Sequence, residues 1–132
     1  MNKVLVIEDN IGQGLKLKVG LEEQNFQVTV ATSSFEAFSR LREGAPALII
    51  LDASLSDSDG VELCKTIKKD YQTSGIPIIM YSKENKLQNM VRAYEAGVDY
   101  FIVKEEDCNK ALLMLADSLL YRRSRRPATL SA

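Results

Sequence analysis

The chain lacks histidine and tryptophan, and it has only two cysteines among its 132 residues. Without histidine it cannot build a Ser-His-Asp or Cys-His site from its own residues. Its cysteines, Cys64 and Cys108, lie far apart in sequence, which excludes zinc-finger spacing and a CxxC redox motif. We expect both to be buried free thiols. Any chemistry therefore depends on carboxylates, hydroxyls or lysines.

The chain also lacks a hydrophobic run long enough to span a membrane. Residues 1–3 lead directly into a four-residue apolar run followed by an acidic pair, which is unlike a signal peptide. We therefore expect a cytoplasmic protein without membrane insertion. With seven glycines and three prolines, the composition is neither collagen-like nor of low complexity. A hydrophobic fraction of 45% at this length predicts one compact domain.

Charge is distributed unevenly along the chain. The formal net charge is −1, but all 18 acidic residues precede position 122, and four of the 17 basic residues fall within 122–126. An acidic body repels phosphate backbones, so we expect no direct nucleic-acid binding by it. We predict a folded domain over residues 1–121. Residues 122–132 then form a basic tail that is frayed or begins a linker.

Apolar runs of strand length alternate with longer amphipathic segments, a pattern typical of α/β proteins. The predicted strands are 4–7, 28–31, 48–51, 76–81 and 100–103, and the predicted helices are 11–23, 35–42, 61–69, 87–96 and 109–122. Most strands are continuously apolar, as expected when both faces are covered. The second is the most polar and is predicted to be an edge strand. The fold class is a single (βα)5 unit with a doubly wound, five-stranded parallel sheet.

Local signals mark several helix ends. Capping-box spacing occurs twice, at Asn10–Gln13 and at Ser33–Glu36. Gly44 and Gly97 stand where a left-handed residue commonly ends a helix. Both glycines are therefore predicted to adopt that conformation.

Polar residues follow four of the predicted strands: Glu8 and Asp9, Asp52, Ser82, and Lys104. Because ligands bind beyond the carboxyl ends of strands in such sheets, we expect these residues to converge. Three neighbouring carboxylates repel one another unless a cation is present, and oxygen-only ligation suits Mg²⁺. A lysine and a hydroxyl can contact phosphoryl oxygens, which leaves one carboxylate to act as a nucleophile.

The chain resembles the receiver (CheY-like) domain of two-component response regulators from Lys3 to about Tyr121. Four segments carry the resemblance in the right order and spacing: VLVIEDN at 4–10, LIILD at 48–52, PIIMYS at 77–82 and AGVDYFIVK at 96–104. It implies a flavodoxin-like fold and a phosphoprotein of a two-component phosphorelay rather than an enzyme with an external substrate. Phosphorylation and dephosphorylation would be self-catalysed.

The resemblance also implies roles for individual residues. Asp52 would accept the phosphoryl group, and Ser82 and Lys104 would contact it. Glu8, Asp9 and Asp52 would hold Mg²⁺ together with the backbone carbonyl of Ser54. Ser82 and Phe101 would act as the switch, with Phe101 turning inward on activation.

The implied partners are a sensor histidine kinase or phosphotransfer protein and an unidentified downstream protein. The family commonly uses the face formed by helix four, strand five and helix five for such contacts. Met90, Tyr94 and Tyr121 are candidate exposed contacts on that face.

Three positions depart from the family pattern. Ser56 and Glu105 stand where proline is common, and Lys83 stands where a small residue is usual. A cis bond before a non-proline residue costs roughly 3 kcal/mol, so a trans bond at Glu105 would shift the backbone of Lys104. Lys83 places a long cationic side chain beside the predicted phosphoryl site. The departures at Lys83 and Glu105 leave a second hypothesis open, a degenerate receiver that binds partners constitutively without phosphorylation.

A third hypothesis is a Mg²⁺-dependent phosphatase or other hydrolase that uses Asp52. It has the least support because the sequence offers no general base beyond the carboxylates themselves. Other motif matches fail. The stretch DSDG at 57–60 lacks the first and last ligands of a calcium loop, and GQG at 12–14 lacks the third glycine of a dinucleotide-binding turn.

Overall fold

The computed structural model describes residues 2–105 and 108–125. Ten elements alternate along this part of the chain: β1 (Lys3–Ile7), α1 (Ile11–Glu23), β2 (Gln27–Ala31), α2 (Ser34–Glu43), β3 (Leu48–Asp52), α3 (Gly60–Lys69), β4 (Ile78–Ser82), α4 (Leu87–Glu95), β5 (Tyr100–Val103) and α5 (Cys108–Arg125). None of the helices in the described ranges is long and apolar enough to cross a bilayer.

The five strands form one parallel sheet in the order β2-β1-β3-β4-β5. This order confirms the predicted doubly wound fold, and β2 lies at an edge as predicted. The central strands β3 and β4 are buried along their whole length. Their continuous apolar sequences are explained by this position, because helices cover both faces of the sheet.

Alternate residues of each strand enter two separate cores. On β1, Leu5 and Ile7 face the core formed with α2, α3 and α4, whereas Val4 and Val6 face the core formed with α1 and α5. Period-two alternation sends successive side chains to opposite faces of a strand. The two cores hold the strand ends in register, and that register positions the polar residues that follow the strands.

Several boundaries differ from the prediction. Strand β4 begins at Ile78 rather than at 76, because Pro77 has no backbone N–H for the ladder. Helix α5 continues to Arg125, past its predicted end at 122. Residues 126–132 of the predicted tail lie outside the described residues, so its role as a tail or linker stays a prediction.

The two predicted N-terminal helix caps are confirmed, but one of the two predicted left-handed glycines is not. Asn10 and Ser33 accept hydrogen bonds from the backbone three residues on, at 2.9 and 3.1 Å. Gly97 has φ +106° and is left-handed as predicted. The prediction for Gly44 is wrong: its φ of 163° is extended backbone, because the chain leaves α2 directly toward β3 without a left-handed cap. Asn25, after α1, is left-handed instead, with φ 69°.

Cys64 is confirmed as a buried free thiol. Desolvation by burial raises the pKa of its thiol to about 11. At neutral pH this cysteine is therefore a protonated core residue without nucleophilic character. The side chain of Cys108 lies outside the described residues.

Helix α3 begins against the backbone that carries the third strand's carboxylate. A Cβ atom added to Gly60 would lie 2.5 Å from the carbonyl oxygen of Asp52 and 2.8 Å from the Cα atom of Ala53. The N–H of Gly60 donates to the carbonyl oxygen of Ala53 at 2.8 Å. Only glycine allows this close approach, which fixes the backbone immediately after Asp52.

We predict that Gly60→Ala destabilises the protein by about 1–3 kcal/mol, because the added methyl group forces two backbone segments apart. Gly44→Ala is the matched control, since no atom lies within 4 Å of its added Cβ. It should change the free energy of unfolding by less than about 0.5 kcal/mol. Urea denaturation of both variants measures the difference, and equal stabilities would contradict the packing argument.

Candidate functional site

Three carboxylates meet at the carboxyl edge of the sheet. Glu8 and Asp9 follow β1, and Asp52 ends the neighbouring strand β3. Each residue offers one carboxylate oxygen, and these three oxygens lie within 4.8 Å of one another. Glu8 is 1% exposed and Asp52 is 3% exposed. The predicted convergence of these residues is therefore present, and two of the three charges are almost completely removed from solvent.

Lys104, which follows β5, is the cation of this cluster. Its Nζ atom lies 3.0 Å from Asp52 Oδ2 and 3.4 Å from Glu8 Oε1. A partly buried ammonium group between two buried carboxylates offsets part of their desolvation cost. The single lysine leaves the three-carboxylate cluster with a formal excess of negative charge when all groups are ionised.

The electrostatics of the cluster shift two titration equilibria. Burial, together with the adjacent Asp52 carboxyl, raises the pKa of Glu8. Burial alone would lower the pKa of Lys104, but the Asp52 and Glu8 carboxylates outweigh it and raise that pKa. Both groups therefore hold a proton more tightly in this site than they would in water.

Sequence reasoning missed Tyr81, a fully buried residue of β4. Its hydroxyl donates to Glu8 Oε1 at 2.7 Å, and its ring lies beneath the Lys104 ammonium group, 4.7 Å from Nζ to the ring centroid. A tyrosine within an apolar strand is expected to be a packing residue. The only signal in the sequence was a phenol placed directly before the polar end of the strand, because a buried hydroxyl needs a partner.

Ser82 and Ser54 line the same open groove, which has a volume of about 750 Å³. Ser82 Oγ accepts a hydrogen bond from the backbone N–H of Glu84 at 3.0 Å. The backbone N–H of Ser54 donates to Asp52 Oδ1 at 2.9 Å. The structure therefore places both predicted residues at the cluster, with Ser82 bonded to the following loop rather than to a carboxylate.

The departures at Lys83 and Glu105 also border the groove, and both residues are exposed. The Lys104–Glu105 peptide bond is trans, as are all peptide bonds in the described ranges. This geometry still leaves the Lys104 ammonium group directed at Asp52 and Glu8. Neither departure displaces a member of the cluster.

Phe101 borders a second cavity of about 310 Å³, on the side of the sheet facing α4. Ser82 lies on the boundary between this cavity and the groove. Phe101 is half-buried, and its backbone N–H donates to the hydroxyl of Tyr94 at 3.2 Å. The predicted switch residues Ser82 and Phe101 are thus joined by an open space.

The two aspartates of the rejected calcium motif are helix caps. Asp57 accepts hydrogen bonds from the N–H and the hydroxyl of Ser34 and from the N–H of Phe35, at 2.7–3.3 Å. Asp59 accepts from the N–H of Val61 at 2.9 Å. Both carboxylates thereby complement helix N-termini. Asp57 also ties the loop that carries Ser54 to helix α2.

A scan against protein-family models matches the response regulator receiver domain over residues 4–116. The chain belongs to the response regulator receiver domain family. Its acidic cluster, lysine and sheet topology therefore make up a receiver of the two-component signalling type, and the match is to no enzyme family.

Known proteins agree with this assignment. The phosphate regulon transcriptional regulatory protein PhoB of Rhizobium meliloti (strain 1021) is 34% identical over 102 residues, which is 77% of this chain and 45% of that protein. The chain thus matches less than half the length of this curated relative.

Solved structures agree as well. A two-component response regulator from Clostridium difficile is 28% identical with a TM-score of 0.85, covering 93% of this chain and 98% of that one. The signal receiver domain of a signal transduction histidine kinase from Syntrophus aciditrophicus is 30% identical with a TM-score of 0.84, covering 97% and 96%. The receiver fold therefore extends over nearly the whole chain.

The hydrogen bonds at Asp57 lead to a prediction about stability in acid. The hydrogen bonds from Ser34 hold the pKa of Asp57 below its ordinary value. Because the folded pKa is the lower one, this carboxylate stabilises the fold above the unfolded pKa and loses that effect as the pH falls through the folded pKa. We predict that Asp57→Ala is less stable than the natural chain at pH 7 and that the difference shrinks as the pH falls below the ordinary pKa of an aspartate.

Urea denaturation across this pH range measures the effect. Asp117→Ala, at an exposed position of α5, is the matched control and should not destabilise the receiver at neutral pH. A stability difference for Asp57→Ala that persists unchanged into acid would contradict the capping role.

Proposed function

We propose that this receiver accepts a phosphoryl group on Asp52 from a sensor histidine kinase or phosphotransfer protein in the cytoplasm, and that phosphorylation changes a protein-binding surface. One observation carries the proposal: a buried carboxylate lies at the edge of an open groove, 3.0 Å from a lysine and beside two further carboxylates. This arrangement provides a nucleophile, a charge partner for a phosphoryl group and an acidic set for a divalent cation.

The chemistry is a single transfer. An Asp52 carboxylate oxygen forms a bond to phosphorus while the bond from phosphorus to the donor's imidazole nitrogen breaks. The nitrogen keeps the bonding electron pair and takes a proton from solvent. Lys104 neutralises charge on a phosphoryl oxygen, and the Ser82 hydroxyl donates to another.

The residues present fit Mg²⁺, because their carboxylate oxygens are hard ligands gathered within 4.8 Å. Glu8, Asp9 and Asp52 would hold the ion together with the backbone carbonyl of Ser54. When bound, Mg²⁺ would supply positive charge to the phosphoryl oxygens. The chain's own residues orient the acceptor: Asp52 is fixed by the Ser54 N–H and by Lys104.

The switch would run through Ser82 toward α4 and β5. Once Ser82 bonds a phosphoryl oxygen, the loop after β4 moves with it, and Phe101 can turn into the adjacent cavity. Exposed apolar side chains on α4 and β5 support a partner surface there: Leu87, Val91, Tyr94 and Tyr100 are 41–75% exposed. Met90 on α4 is half-buried rather than exposed as predicted, and the side chain of Tyr121 lies outside the described residues.

We predict that acetyl phosphate with Mg²⁺ adds the mass of one phosphoryl group to the protein and that Asp52→Asn removes this gain. An amide at position 52 keeps the shape of the side chain but is not a nucleophile. Intact-mass spectrometry measures the gain. Asp117→Asn, which also replaces a carboxylate by an amide, is the matched control and should be phosphorylated normally.

The same experiment separates the alternative. If the natural chain gains no phosphoryl group and forms no beryllofluoride complex, the receiver is a constitutive interaction module instead. Replacing Lys83 by a small residue and Glu105 by proline, as is common in the family, would then test whether these departures prevent phosphorylation. Turnover of small phosphomonoesters that depends on Asp52 would instead indicate a hydrolase.

We also predict that Mg²⁺ stabilises the fold because it binds only the assembled cluster. At a concentration 100 times its dissociation constant, the gain is about 2.7 kcal/mol. Thermal denaturation with MgCl₂, compared with NaCl of equal ionic strength, measures this gain. Asp9→Asn should lose most of it and Asp117→Asn none, whereas equal stabilisation of all three proteins would indicate a nonspecific salt effect.

A further inference from the structure

Tyr81 has features that packing alone does not require. The side chain is fully buried, and its hydroxyl is placed at the polar end of an otherwise apolar strand. The 2.7 Å bond to Glu8 Oε1 is shorter than the 3.4 Å contact that Lys104 makes with the same oxygen. Tyr81 is thus the nearer of the two donors to this oxygen.

Glu8 needs fixing because its side chain is long. A glutamate has one more rotatable bond than an aspartate, and burial alone does not select one orientation of its carboxylate. Here Oε1 accepts from Tyr81 and Lys104, while Oε2 accepts from the backbone N–H of Asn10 at 3.2 Å. Donors on both oxygens fix the plane of the carboxylate.

Tyr81 also supports the opposite charge. Its ring lies 4.7 Å from Lys104 Nζ, within the range of a cation–π contact. One side chain therefore touches both the anion and the cation that flank Asp52. The register explains why: Asp52 pairs with Tyr81 across β3 and β4, and the fifth strand lies on the other side of β4.

We propose that Tyr81 is a positioning residue of the metal-binding cluster. Its hydroxyl holds the Glu8 carboxylate in the orientation that assembles it with Asp9 and Asp52. Its ring positions the Lys104 ammonium group through the cation–π contact. This inference rests on the proposed Mg²⁺ site. Groups that orient metal-binding carboxylates are known to contribute strongly to metal affinity.

Tyr81→Phe tests the hydroxyl while keeping the ring. Isothermal titration calorimetry with MgCl₂ should show affinity weakened on the order of 10-fold. Tyr71→Phe, at a position 86% exposed in the loop before β4, is the matched control and should bind Mg²⁺ as the natural chain does. Thermal denaturation in EDTA runs in parallel, so that a general loss of stability is separated from a loss of metal affinity.

A double-mutant cycle gives the decisive readout. Glu8→Asp keeps a carboxylate but withdraws it by one methylene from the Tyr81 hydroxyl. If Tyr81 acts through Glu8, Tyr81→Phe should weaken Mg²⁺ binding far less in the Glu8→Asp background than in the natural chain. Additive effects of the two substitutions would overturn the positioning role, even if each alone weakens binding.

The outcomes also separate this inference from the proposed function. If the natural chain binds Mg²⁺ and Tyr81→Phe binds it equally well, the inference fails and the proposed function stands. If the natural chain binds no Mg²⁺, both the proposed Mg²⁺-dependent function and this inference fail. A folded Tyr81→Phe variant with reduced affinity and strong coupling to Glu8 supports both.

Discussion

The structure depends on one electrostatic conflict. Two carboxylates, Glu8 and Asp52, are buried side by side, and a third, Asp9, lies within reach of both. Burying like charges is unfavourable by several kcal/mol per ion unless opposite charge and hydrogen bonds compensate. Lys104 supplies one charge, while backbone N–H groups and a buried phenol supply hydrogen bonds. One ammonium group does not balance three carboxylates, so the compensation is incomplete. An added divalent cation would meet the remaining negative charge, and an added phosphoryl group would meet the Lys104 ammonium group beside it.

The sheet creates that conflict and also limits it. Parallel register pairs Ile7 with Leu51, so the residues that follow β1 and end β3 must lie beside each other. The two cores prevent relief by backbone movement, because β1 and β3 are buried on both faces. Gly60 adds a local constraint by packing α3 directly on the backbone of Asp52. A rigid scaffold of this kind holds functional groups close together at a small cost per group, since packing has already fixed their backbone.

The carboxylates and Lys104 could be predicted from the sequence because they depend on one rule, that ligands bind at the carboxyl ends of parallel strands. Tyr81 could not, since a tyrosine in an apolar run has the same pattern as a core residue, and its partner lies 73 positions away. Asp57 was rejected as a metal ligand on spacing, but its role as a cap for α2 depends on tertiary proximity that spacing does not encode. The prediction for Gly44 was wrong for a local reason: a glycine after a helix permits a left-handed cap without requiring one.

Under the proposed function, the hydrogen bond at Ser82 would couple phosphorylation of Asp52 to movement of the loop after β4. A hydroxyl has one hydrogen to donate and two lone pairs to accept with. Ser82 uses a lone pair for the Glu84 N–H, so its own hydrogen remains usable for a phosphoryl oxygen. Donation to that oxygen need not break the existing bond, and a displacement of Ser82 would therefore pull the backbone of Glu84 with it. Glu84 also accepts from Asn89 on α4 at 3.3 Å, so the loop and the exposed face of α4 would move together.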